Sequence, residues 1–489
     1  MRTGRACASL TRCARNVGTP NGSGVAIQFG TDGWRAVIAD EFTFASVRAV
    51  ARAYALMLHE QVTERRPQVV VGYDRRFASD AFARAAAETL AAAGVSVHLA
   101  RRPLPTPAIS WATVALGADG ALVITASHNP PLYNGIKLKT AAGASAPPAL
   151  VRRVEALLGA DRETGGTAAP VVEIDPTDDY LAGLRAAVNL PRILSAGLTV
   201  VADAMFGAAA GLLPLLLNGD ATETIEINSA HNPLFPGLKG PEPVERNLAR
   251  LKKVVADGGA TLGVAFDGDG DRIGVVDERG EYVSTQHVFG LLARYVLEVR
   301  KTRGPIVKSV TGSAMVDRLA ERAGVPVVET ATGFSRIAEA MQEEGAILGG
   351  EESGGYAFGF HLPERDGLLA ALLLLDYLVQ SGKPLSALLA EMEAAIGPWH
   401  YRRVDVPLAP EVAAKVVAQV QASEWPSRIA GMPLAGVRDI DGVKLEFEDG
   451  SWLLLRPSGT EPLLRLYAEA HSPDDVDALL AAGREFLGI

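Results

Sequence analysis

Cysteine is nearly absent from this 489-residue chain: the two that occur, Cys7 and Cys13, both precede any periodic pattern. That argues against a disulfide-built secreted domain. Aromatic residues are scarce as well, at 6%. The longest apolar stretches, such as Leu368 to Leu375 ending at Asp376, fall far short of the roughly 20 residues of a membrane-spanning helix. Nor is there a surplus of positive charge. Lys plus Arg number 47 against 57 Asp plus Glu, a net charge of −10, which disfavours nucleic acid and anionic membrane as partners. Any anion bound here must therefore meet a locally basic site. What the chain does have is length for three to four domains, 48% hydrophobic and 21% charged residues, and 50 glycines. The expectation is a soluble, cytoplasmic globular protein, its oligomeric state open. Residues 1–26 carry Arg2, Arg5, Arg12 and Arg15 and no acid, and are expected to form a disordered arm, with organelle targeting as the alternative.

One layout recurs three times. The apolar runs Val69 to Gly72, Leu198 to Ala202 and Ile306 to Val310 each lead through a small-residue turn into a helical pattern and back to a second strand. In the first copy Ser79 is the expected N-cap, Phe82, Ala85, Ala86, Thr89 and Leu90 the apolar face, and Gly94 the stop. The second runs from Gly207 into a helix over Ala208 to Leu217, the third through Met315 and Leu319 to Gly324. Each unit is followed by another apolar strand and a polar, glycine-containing loop. These loops are Thr125-Ala126-Ser127-His128-Asn129-Pro130, Asp267-Gly268-Asp269-Gly270-Asp271-Arg272 and Gly349-Gly350-Glu351-Glu352-Ser353-Gly354-Gly355. Loops beyond strand ends are where α/β sheets bind ligands, so one shared cleft could receive all three. After about residue 397 the pattern changes to short strands and a closing helix, an α+β domain. Within it Arg456 to Pro462 reads as a turn too rich in Pro and Gly to continue the sheet.

Alternating with glycine, the carboxylates of Asp267, Asp269 and Asp271 repel one another unless a cation sits among them, and Mg²⁺ is the natural hard ion where phosphate adds oxygens. A calcium loop stays open as an alternative, because Glu278 stands twelfth from Asp267; the apolar Ile273, Val275 and Val276 between them suit a strand better. Ser127, in a loop expected to expose its hydroxyl, is a candidate nucleophile. His128 and Lys137 are the titratable groups beside it, either able to move a proton. Arg456 with Ser458, Gly459 and Thr460 suits a bound phosphate. Glu351 and Ser353 suit sugar hydroxyls, and Arg35 adds a further cation.

Together these four loops, in this order, resemble the α-D-phosphohexomutases, the phosphoglucomutases and phosphomannomutases, over residues 27 to 489. The resemblance implies three similar α/β domains with mixed sheets plus a C-terminal α+β domain around a central cleft. The bounds expected are 27–190, 191–284, 285–396 and 397–489. It further implies a phosphoryl group on Ser127 and Mg²⁺ held by that phosphoserine with Asp267, Asp269 and Asp271. Arg272 and Arg35 would be active-site cations, His128 and Lys137 the acid/base neighbourhood, and Glu351, Ser353 and Arg336 sugar contacts. Arg456, Ser458, Gly459 and Thr460 would hold the distal phosphate. One departure is at Arg336, where many relatives have lysine. Another is Gly355, where phosphoglucosamine mutases and some dual-specificity relatives have histidine, which favours a glucose or mannose phosphate. The implied reaction exchanges hexose 1-phosphate and 6-phosphate through hexose 1,6-bisphosphate, with glucose 1,6-bisphosphate as activator. Alternatives are a phosphoglucosamine mutase, a metal-dependent sugar phosphatase and a non-catalytic sugar-phosphate sensor.

Overall fold

Three mixed sheets place one loop each at the same topological position. The computed structural model describes residues 27–160, 167–408, 410–422, 424–458 and 463–488; the expected N-terminal arm, with Cys7 and Cys13, lies outside them. In the first sheet the parallel strands Gly120–Ile124, Gln68–Tyr73, Ser96–Ala100 and Val171–Ile174 lie side by side in that order. Tyr133–Thr140 adds antiparallel beyond Gly120–Ile124, followed by Trp34–Val37. The second sheet repeats the core of this layout, with Thr199–Asp203 parallel to both Glu223–Ile227 and Leu262–Phe266, and Ile273–Val276 returning antiparallel. In the third, Ile306–Ser309 lies parallel to Val327–Thr330 and Leu348–Gly350, with Tyr356–Phe358 antiparallel. Central strands such as Val69-Val70-Val71 and Leu262–Phe266 are buried throughout. Continuous apolar runs are what a parallel sheet covered on both faces requires.

Each polar loop thus joins the third parallel strand to its antiparallel return. That is why residues far apart in sequence share one place in space. One core cluster runs through the first three domains into the last, where it takes in Trp399, Trp452, Leu454 and Tyr467, and it includes the helix Gly367–Ser381, apolar on nearly all sides. Among the described residues no single helix is long and apolar enough to cross a membrane.

The last domain is one antiparallel sheet in the order His400–Pro407, Leu463–Ala470, Trp452–Pro457, Val443–Phe447, Met432–Arg438, Arg428–Ile429, with helices Pro410–Ala422 and Pro473–Leu487.

Three local expectations are corrected. Ser79 is the first helical residue and not the cap; its hydroxyl instead donates to Asp74 at 2.8 Å. The second helix is shorter, Leu212–Leu217, because Met205 and Phe206 take positive φ and Gly207 passes so close to the Asp267 loop that a Cβ would stand 2.7 Å from the Asp267 carbonyl. Arg456 and Pro457 continue their strand, paired with Arg465 and Leu464. The Ser458 N–H donates to the Leu463 carbonyl, so the adjacent Pro457–Leu464 pair is one that asks no N–H of proline.

Candidate active site

Ser127 occupies a backbone conformation that non-glycine residues seldom adopt, φ +49°. The surrounding structure holds it there. Arg76, buried, donates from Nη2 to the carbonyls of Ser127 and Asn129, both at 2.6 Å, and from Nη1 to those of Pro130 and Tyr133 at 2.9 and 3.1 Å. Asp74 carries the next layer: it accepts from the Thr125 hydroxyl at 2.6 Å and lies 3.3 Å from Arg76 Nε. Thr125 Oγ1 in turn accepts from the Ser127 N–H at 2.9 Å. Each unit of this scaffold satisfies a buried polar group that would otherwise be costly to enclose.

The Ser127 side chain is buried, not exposed as its loop suggested, because the Asp267 loop of the second domain lies across it. Its Oγ donates to Asp267 Oδ2 at 2.7 Å and is 3.3 Å from His128 Nδ1. Gly268 permits the approach, since a Cβ there would stand 2.3 Å from the Ser127 carbonyl. Asp267, Asp269 and Asp271 are all buried, with one oxygen of each within 4.8 Å of the others. Burial, then the charges of Asp271 and Asp269, push the Asp267 carboxyl well above its ordinary range. Asp269 shifts the other way: although burial opposes it, the Lys137 ammonium and the Thr106 hydroxyl hold it far below. Asp269 Oδ1 and Asp271 Oδ1 have no hydrogen-bond partner among the described residues. Two unsatisfied buried carboxylate oxygens beside a crowded third make a donor set that fits a hard divalent cation. The calcium-loop alternative is not met: Ile273–Val276 is a strand, and Glu278 accepts hydrogen bonds from Ser386.

Cations frame the triad. Lys137 Nζ lies 2.6 Å from Asp271, 2.8 Å from Asp269 and 2.9 Å from Asp32. Despite burial, these three carboxylates hold its ammonium well above the ordinary lysine range. His128 moves down, chiefly through burial and then through Arg272, Arg35 and Lys137, so its imidazole is neutral at pH 7. Arg272 donates its N–H to Asp267 Oδ1 at 3.1 Å, and its Nε lies 3.9 Å from Asp271. Arg35 joins Asn129 of the Ser127 loop, at 2.9 Å, to Asp32 at 3.2 Å.

The sugar and phosphate loops lie on the third and fourth domains. Glu351 Oε1 accepts from the Ser353 hydroxyl at 2.6 Å and from Arg365 at 2.9 Å. Glu352 reaches the last domain, accepting from Tyr401 at 2.9 Å and Arg403 at 3.0 Å. Arg456 donates to Asp441 at 2.8 Å, and Asp441 accepts from Thr332 of the third domain through both N–H and hydroxyl. Arg336 is exposed and lines a cavity of about 220 Å³ whose wall also includes Asp32 and Lys137; among the described residues no hydrogen bond or ion pair joins it to Glu351 or Ser353. Gly459 and Thr460 lie outside the described residues. Asp32, Asp74, Arg76 and Arg365 were not singled out by sequence. Asp32 and Asp74 each follow a strand or glycine turn, but nothing local marks Arg76 or Arg365 from other arginines.

Four family descriptions match this chain in succession: phosphoglucomutase/phosphomannomutase alpha/beta/alpha domain I over residues 26–164, domain II over 178–280, domain III over 284–395, and the C-terminal domain over 403–485. A phosphoglucomutase/phosphomannomutase of Thermococcus kodakarensis is 32% identical over 94% of this chain and 98% of its own length. A probable phosphoglucosamine mutase of Methanothermobacter thermautotrophicus is 33% identical over 91% and 94%. Among crystal structures, a Thermus thermophilus protein assigned as a phosphomannomutase superposes with a TM-score of 0.83 at 37% identity, covering 95% of this chain and all of that one.

Proposed function

The chain belongs to the phosphoglucomutase/phosphomannomutase family of α-D-phosphohexomutases, and from that premise we propose that it interconverts glucose 1-phosphate and glucose 6-phosphate, with mannose phosphates as secondary substrates. The observation that carries this reading is the Ser127 hydroxyl 2.7 Å from Asp267 within a buried three-carboxylate cluster. In it Ser127 carries the phosphoryl group. Asp267, Asp269 and Asp271 are the residues to hold Mg²⁺ together with that phosphate, and the ion would supply charge neutralisation during phosphoryl transfer.

The other steps belong to side chains. Arg272 and Arg35 offset charge around Ser127. His128, neutral and 3.3 Å from the Ser127 hydroxyl, is the proton acceptor of the acid/base pair, and Lys137, kept protonated by Asp32, Asp269 and Asp271, is its cationic partner across the carboxylate cluster. Glu351 accepts from a sugar hydroxyl, and Arg456 and Ser458 hold the distal phosphate. The first transfer yields a hexose 1,6-bisphosphate, which turns end for end within the cleft so that its other phosphoryl group returns to Ser127. Added glucose 1,6-bisphosphate would keep Ser127 phosphorylated. A phosphatase mechanism would leave the Arg76-supported serine loop without a task.

For the sugar, identities of 32% and 33% to differently named relatives do not discriminate. The preference for a glucose or mannose phosphate over glucosamine phosphate rests on Gly355, which offers no side chain where phosphoglucosamine mutases and some dual-specificity relatives carry histidine. The test is kcat/KM for glucose 1-phosphate, mannose 1-phosphate and glucosamine 1-phosphate in parallel, with a trace of glucose 1,6-bisphosphate. Glucose 1-phosphate is expected to lead; a lead for glucosamine 1-phosphate would overturn the sugar assignment and leave the transfer chemistry standing.

A further inference from the structure

Resting on the reading of Glu351 as a sugar contact, we propose that Arg365 is a positioning residue that locks the sugar loop to the metal-binding loop, and that Gly355 is glycine in order to admit it. Arg365 belongs to none of the four loops. It is nonetheless buried to 1% exposure, and its guanidinium reaches a carboxylate on each of three separate segments. Nη1 donates to Glu351 Oε1 at 2.9 Å, and Nη2 donates to Asp271 Oδ2 at 2.6 Å and to Asp32 Oδ2 at 2.7 Å. Its plane lies over the Phe334 ring, 5.0 Å from the centroid.

The consequence for Glu351 is specific. Oε1 is taken by Arg365 and by the Ser353 hydroxyl, which fixes the carboxylate and leaves Oε2 as the oxygen without a partner among the described residues. The acceptor offered to a sugar hydroxyl is therefore aimed by Arg365, and its height relative to the phosphoryl position is set through Asp271. A lysine ammonium can meet several carboxylates at one point, as Lys137 does, but it does not reach Glu351 from one end of a planar fork and Asp271 with Asp32 from the other.

Gly355 completes the arrangement. A Cβ on it would stand 2.1 Å from Arg365 Cδ and 2.8 Å from Cγ, distances at which one of the two must move. A side chain at position 355 and this placement of Arg365 are mutually exclusive. Substrate choice then differs by which group orients the sugar-loop carboxylate: a side chain at 355, or an arginine that occupies its space.

The test is a pair of double-mutant cycles on the full-length Mg²⁺-loaded enzyme, reading KM and kcat for glucose 1-phosphate alongside thermal melts. Glu351→Gln alone is expected to raise KM about tenfold, the replacement of a charge-assisted hydrogen bond at a part-buried carboxylate by a neutral amide; an unchanged KM would overturn the sugar-contact reading itself. Arg365→Ala is expected to raise KM by a similar factor with a smaller fall in kcat, and Arg365→Ala combined with Glu351→Gln to be no worse than either. Additive effects, with Glu351→Gln raising KM, would overturn the lock while sparing the sugar contact. In the second cycle Gly355→Ala is expected to raise KM in the wild-type background and to do little beside Arg365→Ala; equal effects in both backgrounds would overturn the steric pairing. Arg365→Lys, which keeps the charge and much of the packing, is expected to melt near wild type with KM still raised, and a wild-type KM there would count against the proposal.

Discussion

A serine at φ +49°, buried and bonded to a carboxylate, has little structural reason to be there unless its oxygen does chemistry. Ser127→Ala is accordingly expected to lower kcat by at least about a thousandfold, on the scale of losing a covalent nucleophile, while the melting curve stays within a few degrees. Retention of a tenth of the activity would rule the assignment out. Asp269→Asn removes one charged oxygen from the triad and leaves Lys137 with two carboxylates. Weaker Mg²⁺ binding in a calorimetric titration is expected, by roughly tenfold or more, and unchanged affinity would remove Asp269 from the ion's donors. At this scale the sequence was legible where chemistry is written contiguously, as in Asp267 to Asp271 or Ser127-His128. It was silent on Arg365 and Asp32. Their meaning comes only from tertiary neighbours, 333 positions apart in the case of the bond between these two.

Loops joining a third parallel strand to its antiparallel return carry Ser127, the Asp267 cluster and Glu351, so the fold supplies one kind of slot and the residues differentiate it. Rigidity of the first slot comes from Arg76, with four carbonyl partners. Arg76→Met would take the guanidinium donors from those four carbonyls and the counter-charge from the buried Asp74 carboxylate, which would keep only the Ser79 and Thr125 hydroxyls and the backbone N–H of residue 76, a loss of roughly 3–5 kcal/mol by analogy with broken buried ion pairs. We expect a clear drop in denaturation midpoint together with a kcat loss exceeding tenfold; a kcat unaffected in folded protein would show that the loop holds its own shape. The strand and helix pattern of the three repeats was readable from apolar runs and turn glycines. The departures have local causes. Asp74 drew the Ser79 hydroxyl away from capping, the close pass of Gly207 under the Asp267 loop shortened a helix, and a non-hydrogen-bonded register let Pro457 stay in its strand. Met432–Arg438 carries no clean strand pattern, because Pro433, Gly436 and a register shift break its alternation.

Across the molecule, the last domain is tied to the third by polar contacts whose partners are themselves buried. Lys444 donates to Glu329 at 2.5 Å and to the Val310 carbonyl at 3.1 Å, and Glu469 accepts from the Ala314 N–H and the Trp452 indole. Glu329→Gln would leave the buried Lys444 ammonium without its counter-charge. It is expected to weaken the attachment by about 3 kcal/mol, seen in scanning calorimetry as a low-temperature shoulder that the wild type lacks; a single unshifted transition would show that these contacts do not hold the domain. Through the same junction Asp441 brings Arg456 beside Thr332, so the distal-phosphate grip depends on how the last domain seats. The four-domain arrangement around one cleft was foreseen from the order of the loops, whereas the seating, built from single charged residues on different strands, was not.

The central claim is that Ser127 passes its phosphoryl group to a hexose phosphate. Enzyme carrying ³²P on Ser127, mixed with unlabelled glucose 1-phosphate and quenched within one turnover, tests it directly. The account predicts label leaving a Ser127 peptide and appearing first in glucose 1,6-bisphosphate and then in glucose 6-phosphate; label that remains on the protein, moves to an aspartate or leaves as inorganic phosphate would contradict it.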